Sequence, residues 1–285
     1  MKQKFILTLH CPSAAGQVAA VALFLDQRQC YVEVISVFDS HDKSRFFLRC
    51  VFHPQDEANF LLTELRHDFD VVATRFDMAW AIHDASDRPR IMIMVSRYDH
   101  CLNDLLYRWR IGELPIDIAA VVSNHSDLGS VVEAHGLPFH HLPITAETKI
   151  SQEEKLRALI DGSHSEVIVL ARYMQILSAQ LCAELHGRVI NIHHSFLPGF
   201  KGARPYKQAY ERGVKIIGAT AHYVTTDLDE GPIIEQAVTH VDHTADIDQL
   251  QSIGRDMECQ ALSRALKLHV ERRVFIDGYK TVVLR

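Results

Sequence analysis

Four short apolar runs constrain this chain most: Ile91–Val95, Ile116–Val122, Val167–Leu170 and Val189–Ile192. Each is close to continuous rather than alternating, rich in β-branched residues, and separated from the next by helical stretches. A strand with one wet face alternates apolar and polar residues. A strand apolar on both sides needs cover on both, and parallel sheets with crossover helices supply it. The pattern predicts an α/β open sheet from residue 91 onward. A long helix over about Asp246–Val270 follows, and Val274–Leu284, with Asp277-Gly278 at its middle, reads as a terminal hairpin.

The first 84 residues follow a different pattern. Phe5–Leu9 is strand-like, and a turn over Pro12–Gly16 leads into an apolar helix around Gln17–Asp26. Tyr31–Phe38 alternates as a half-buried strand, Arg45–Phe52 is another, and a helix runs from near Pro54 to about His67. Val71–Trp80 supplies a last extended run. The order βαββαβ is that of a ferredoxin-like unit. The polar stretch Ala85–Arg90, with one proline, reads as the linker, which divides the chain into residues 1–84 and 91–285.

Composition excludes several classes. Of 285 residues, 47% are hydrophobic and 23% charged, so the chain is globular rather than disordered. A net charge of −6 argues against nucleic acid and anionic membrane as partners. The longest apolar run, Val18–Leu25, falls far short of the roughly 20 residues that span a bilayer. His10 and Pro12 cut the apolar stretch after Lys2 and Lys4 too short for a secretory signal. Six cysteines show no CxxC spacing, so neither a disulfide framework nor a zinc knuckle is indicated, and a reducing cytoplasm is expected.

Two segments carry chemistry-bearing residues. Asn191–Gly202 follows the buried run Val189-Ile190, at the carboxyl end of a strand, where open α/β sheets bind ligands. Strand period places Asn191, His193 and Ser195 on one face, an amide and an imidazole side by side that can hold a developing oxyanion. Thr225–Pro232 is an acidic loop between two strands, and a carboxylate there can orient or charge a neighbouring histidine. Spacing does not choose Asp227 from Asp229. No GxSxG elbow accompanies Ser195, His240-Val241-Asp242-His243 lacks metal-ligand spacing, and Ser96–Cys101 stands where a GxGxxG would be needed.

The pattern Asn191-x-His193-x-Ser195-x-Leu197-Pro198-x-Phe200-x-Gly202, with Leu228-Asp229-Glu230-Gly231-Pro232, resembles the signature of the folate-dependent formyltransferase fold, a Rossmann-like open sheet. Longer blocks, 190–210, Gly218–Val224 and Arg272–Phe275, are most similar to the formyltetrahydrofolate deformylases. The first 84 residues resemble an ACT regulatory domain, which deformylases carry and glycinamide ribonucleotide transferases lack. The resemblance implies hydrolysis of 10-formyltetrahydrofolate to formate and tetrahydrofolate, supplying formate for purine (IMP) synthesis and balancing one-carbon pools. It assigns Asn191, His193 and Asp229 to catalysis. It also places Met174, Gln175, Ile176 and Leu177 along the pterin pocket, with Thr225 and Leu228 closing its other side. Gln175 stands where the family often has arginine. Lys201, Arg204 and Lys207 are either an attraction for the glutamyl tail or a solvated basic edge.

The chemistry so implied uses folate as substrate and needs no metal or redox cofactor. Water adds to the formyl carbon, Asn191 and His193 donate to the oxyanion, and Asp229 stabilises protonated His193 and relays protons to N10. The ACT resemblance implies a homo-oligomer and a small amino-acid effector, glycine or methionine, with backbone donors around Ser13, Ala14 and Gly16. A purely structural dimerisation unit is the alternative there. Two other functions remain open: a formyltransferase to an amine acceptor, and a folate or amino-acid sensor without turnover. The bulky, glycine-free Ser96–Leu102 favours hydrolysis, because the glycinamide ribonucleotide enzymes grip their acceptor phosphate with a Gly-rich loop at that place.

Overall fold

The structure, a computed structural model, describes residues 2–58, 60–199 and 205–285. The chain divides into two compact units. The first contains β1 (Phe5–Pro12), α1 (Gln17–Gln27), β2 (Cys30–Ser40), β3 (Arg45–Pro54), α2 (Leu62–Phe76) and β4 (Ala79–Asp84). Its sheet is antiparallel in the order β2-β3-β1-β4, the ferredoxin-like arrangement that the order of elements predicts. Phe5, Leu7 and Leu9 point from β1 into a core shared with Phe24, Leu25, Leu65 and Phe69.

Two expectations for this unit need correction. The helix after Pro54 starts only at Leu62 and continues to Phe76, through the stretch read as extended. Leu65, Phe69 and Ala73, spaced by four, are buried together while Val71 is 76% exposed. The 3.6-residue period of the packed face outweighs the strand preference of Val71-Val72. In β2 a register shift between Val32 and Val34 breaks the simple alternation, and Val34, Ile35, Val37 and Phe38 are all exposed on this edge strand.

The second unit runs through β5 (Arg90–Val95), α3 (His100–Arg110), β6 (Asp117–Ser123), α4 (Gly129–Glu133), β7 (Phe139–His141), α5 (Lys149–Gly162), β8 (Val167–Leu170), α6 (Ala179–Glu184), β9 (Val189–His193), α7 (Pro205–Arg212), β10 (Ile216–Tyr223), β11 (Ile233–His240) and α8 (Ile247–Val270). Its seven strands lie in the order β11-β10-β9-β8-β5-β6-β7. β9, β8, β5, β6 and β7 are parallel, as the apolar runs require, and Ile91 to Val95 are fully buried. β10 and β11 add an antiparallel margin that the runs do not foretell. The order reverses between β5 and β8, and the crevice at such a reversal is the favoured ligand position in open sheets.

The hairpin of β12 (Val274–Asp277) and β13 (Lys280–Val283) closes the chain. By their contacts, Glu271–Asp277 and Val282–Arg285 group with the first unit, which otherwise ends at Asp87, and Gly278–Thr281 with the second. Phe275 and Leu284 pack with Phe47, and the nearly buried Asp277 pairs with Lys43 and Arg45. An apolar patch plus two ion pairs, distant in sequence, hold this segment.

Candidate active site

β9 ends in Asn191-Ile192-His193, and β10 runs antiparallel beside it with His222 opposite Asn191. His222 Nδ1 lies 2.9 Å from the Tyr223 carbonyl, which only accepts, so this nitrogen carries the proton. His222 Nε2 is left as an acceptor, and Asn191 Nδ2 donates to it at 3.2 Å. This fixes the Asn191 amide, with its nitrogen towards His222 and its second N–H still available.

The β10–β11 connection brings Asp229 to the same place. Asp229 Oδ2 lies 3.2 Å from His193 Nδ1, and Oδ1 lies 3.8 Å from His222 Nε2. Two backbone features set that position. Asp229 is left-handed (φ 57°), a region aspartate tolerates better than most residues. At Gly231 a Cβ would stand 1.7 Å from the Tyr223 carbonyl oxygen, so only glycine lets the loop close on β10.

The electrostatics follow from these contacts. Its contact with His193 first, and its nearness to His222 second, hold the Asp229 carboxyl well below the usual carboxylate range against the opposing effect of burial. Burial first, then the charges of Arg172 and His193, pushes His194 down to about 4, so it is neutral above that pH. His193 Nε2 is buried and has no hydrogen-bond partner. Buried polar atoms are nearly always paired, and among the described residues this one, on a cleft-lining side chain, is not.

Asn191, His193 and Asp229 share a cleft of about 840 Å³ with Met174, Gln175, Ile176, Leu177, Thr225 and Leu228. The structure therefore gathers both groups assigned by resemblance into one cavity. Met174, Ile176 and Leu228 are more than half exposed there, a pattern suited to an apolar, planar ligand. Lys207 also lines it, while Lys201 and Arg204 lie outside the described residues. Ser195 donates its hydroxyl to the Gly199 carbonyl at 3.2 Å. Asp227 lines the cleft, but no ion pair joins it to either histidine among the described residues.

In the first unit, two of the backbone donors expected for an effector carboxylate are already used. Ser13 N–H donates to Ser44 O and Ala14 N–H to the Gln17 side chain, while Gly16 turns left-handed (φ 88°) to start α1.

Sequence reading missed His222, which sits within a strand of small buried residues, and a polar cluster at the far side of the cleft. There Glu258 on α8 accepts from His100 Nε2 at 2.7 Å and Tyr206 at 2.9 Å, and its Oε2 lies 3.3 Å from Arg172 Nε. No local signal links these four residues, which lie up to 158 positions apart. Among the described residues His100, Cys101 and Glu258 are the one group close enough to share a metal ion. The ion pairs already occupy Glu258, and a hydrogen bond to Cys259, then burial, keeps Cys101 a thiol, so the set does not fit one.

An amide–imidazole–carboxylate cluster at the edge of an open α/β sheet, over an apolar cleft, defines an enzyme of the acyl-transfer type. A family model described as "Formyl transferase" matches residues 89–266. A formyltetrahydrofolate deformylase of Corynebacterium sp. (strain P-1) is 51% identical over 99% of this chain and 98% of its own length. The crystal structure of a formyltetrahydrofolate deformylase from Burkholderia mallei is 56% identical with a TM-score of 0.95, covering 99% of this chain and 100% of that one. A glycinamide ribonucleotide transformylase from Symbiobacterium toebii is 28% identical with a TM-score of 0.65, over 70% of this chain and 95% of that one. The chain belongs to the formyl transferase family and, within it, to the formyltetrahydrofolate deformylases.

Proposed function

We propose that the second unit hydrolyses 10-formyltetrahydrofolate to formate and tetrahydrofolate, with Asn191, His193 and Asp229 as its catalytic residues. The observation that carries the assignment of roles is the Asp229–His193 pair, 3.2 Å apart, beside the anchored Asn191 amide and above an apolar cleft. The pterin lies along Met174, Gln175, Ile176 and Leu177, with Thr225 and Leu228 opposite. Water adds to the formyl carbon. The free N–H of Asn191 and a protonated His193 Nε2 donate to the resulting oxyanion, and one such donor typically contributes about 3–4 kcal/mol. The negative charge of Asp229 favours the imidazolium. The C–N10 bond then breaks, the proton passes to N10, and formate leaves. Folate is the substrate, and no metal or redox group takes part in this scheme.

The same reading makes the first unit an ACT domain that pairs with a second copy and senses a small amino acid, glycine or methionine. The exposed apolar edge β2 suits such pairing. With Ser13 and Ala14 N–H groups engaged, the effector contacts come to the remaining donors near Gly16. Six free cysteines, five of them buried, suit a cytoplasmic enzyme. Among the described residues no helix is long and apolar enough to cross a membrane.

The test is formate release from 10-formyltetrahydrofolate in plain buffer with no amine. Steady production of one formate per tetrahydrofolate is the expected result. Tight folate binding without formate refutes the hydrolase.

A further inference from the structure

The cleft has two sides. Leu177 and Val224 belong to the core cluster that also holds Leu156, Ile160 and Leu181 of α5 and α6. His100 and Glu258 come instead from α3 and α8. Between these last helices and the end of β8 stands Arg172, about 91% buried. Its backbone is left-handed (φ 63°), its guanidinium carbon lies 5.1 Å from the centre of the Tyr98 ring, and its Nε faces Glu258. Among the described residues its Nη1 has no partner, and its Nε has only the 3.3 Å ion pair with Glu258. Tyr206 reaches Glu258 because α8 has Gly254 under it; a Cβ there would stand 2.0 Å from the phenol oxygen.

This side of the cleft is thus filled by large side chains locked to one another, and it lines the same cavity as Asn191 and His193. A formyl acceptor larger than water must bring its amine and the groups carrying it to the formyl carbon. Arg172 is a cation here with a donor to spare in a buried setting. Such a donor matches a small oxygen species: attacking water, then the carboxylate of formate. Hydrolysis yields a free carboxylate and formyl transfer does not, so a buried cation facing the cleft suits hydrolysis.

We propose that Arg172, held by Glu258, Tyr98, His100 and Tyr206, selects water over amine acceptors, filling the acceptor's space and binding the water-derived oxygen. This rests on the hydrolase reading above. In the step, a water oxygen bonds to the formyl carbon, the carbon–N10 bond breaks, one water proton ends on N10 and the other leaves with formate.

The experiment supplies 10-formyltetrahydrofolate with glycinamide, a small amine, and measures formate and N-formylglycinamide together. The wild type gives formate alone. The double variant R172A/E258Q, which leaves neither charge facing a lost partner, slows formate release at least tenfold and puts at least a tenth of the product into N-formylglycinamide. Y98A, which removes only the stacked ring, shifts the ratio the same way to a smaller extent and decides the matter should the double variant not fold. Formate as the only product of every folded variant, at any rate, overturns the proposal. A wild type that makes no formate, or that formylates glycinamide, refutes the hydrolase reading itself.

Discussion

Asp229→Asn isolates the charge of the Asp229–His193 pair. Asparagine keeps an acceptor oxygen at the same place, so the contact to His193 Nδ1 survives while the negative charge goes. At 3.2 Å, two unit charges interact by about 5 kcal/mol at an effective dielectric of about 20. The carboxylate is 23% exposed, and a hydrogen bond remains, so the loss at the transition state is about 3–4 kcal/mol. That corresponds to a roughly 10²- to 10³-fold fall in kcat. Met174–Leu177 are untouched, so folate affinity stays within about threefold, as expected where an interaction acts in the transition state alone. Formate release at saturating substrate reads kcat, and fluorescence titration reads binding. A kcat within tenfold of wild type, with normal binding, removes the charge from the mechanism. Since the carboxyl is held below its ordinary range, its pairing stabilises the fold above the unfolded carboxylate pKa and is lost as pH falls through the folded value. The variant therefore loses less stability than wild type on acidification below the unfolded carboxylate pKa, measured by denaturant melts carried from pH 7 down to about pH 2.

His222→Leu removes the acceptor that fixes Asn191 Nδ2, and leaving that donor unanchored costs about 1–3 kcal/mol. A 10- to 100-fold drop in kcat with little change in KM is expected, and an unchanged kcat refutes the anchoring role. Gly231→Ala must move the loop off the Tyr223 carbonyl, at about 3 kcal/mol or more. Denaturant melts should show that loss, and the displaced Asp229 should lower kcat by roughly 10². Glu258→Gln leaves Arg172 buried without its counter-charge, which costs about 3–5 kcal/mol. Calorimetry should find Tm lower by about 6–20 °C. Burial raises the Glu258 carboxyl, but His100 and Arg172 outweigh it and hold it below its usual range. Wild-type stability from this pair is thus present above the unfolded glutamate pKa and lost as pH falls through the folded value, a dependence the variant should lack.

What the sequence made legible is what local periodicity controls. The runs at 91–95 and 167–170 are buried on both faces, and 189–192 at every position but Asn191, so covered parallel strands were readable from residue type alone. Asn191 and His193 were readable as neighbours because a strand repeats every two residues. β10 and β11 were readable as the two strands flanking Thr225–Pro232, but their antiparallel direction was not, since residue type does not encode strand direction. α2 was misread because Val71 and Val72 favour strands, whereas Phe69 and Ala73 must reach the same core as Leu65. The return of Phe275 and Leu284 to Phe47 depends on contacts over more than 200 residues, which no local pattern encodes. His222 and Arg172 were hidden for the same reason: each owes its role to partners brought by other elements.

Two carboxylates of the cleft, Asp229 and Glu258, are held below their ordinary range, yet their partners divide their roles. Glu258 is engaged on three sides, by Arg172, His100 and Tyr206. The cluster can position groups and fill space. Asp229 faces an imidazole, a group that can both give and accept a proton. Its partner's outer nitrogen is buried and unbonded, open to the reacting atoms. Hydrolysis needs one group that shuttles a proton to N10 and another that stays fixed while the nucleophile is chosen. The cleft has one acid placed for each: Asp229 beside His193, whose Nε2 is the open nitrogen, and Glu258 closed in by Arg172, His100 and Tyr206.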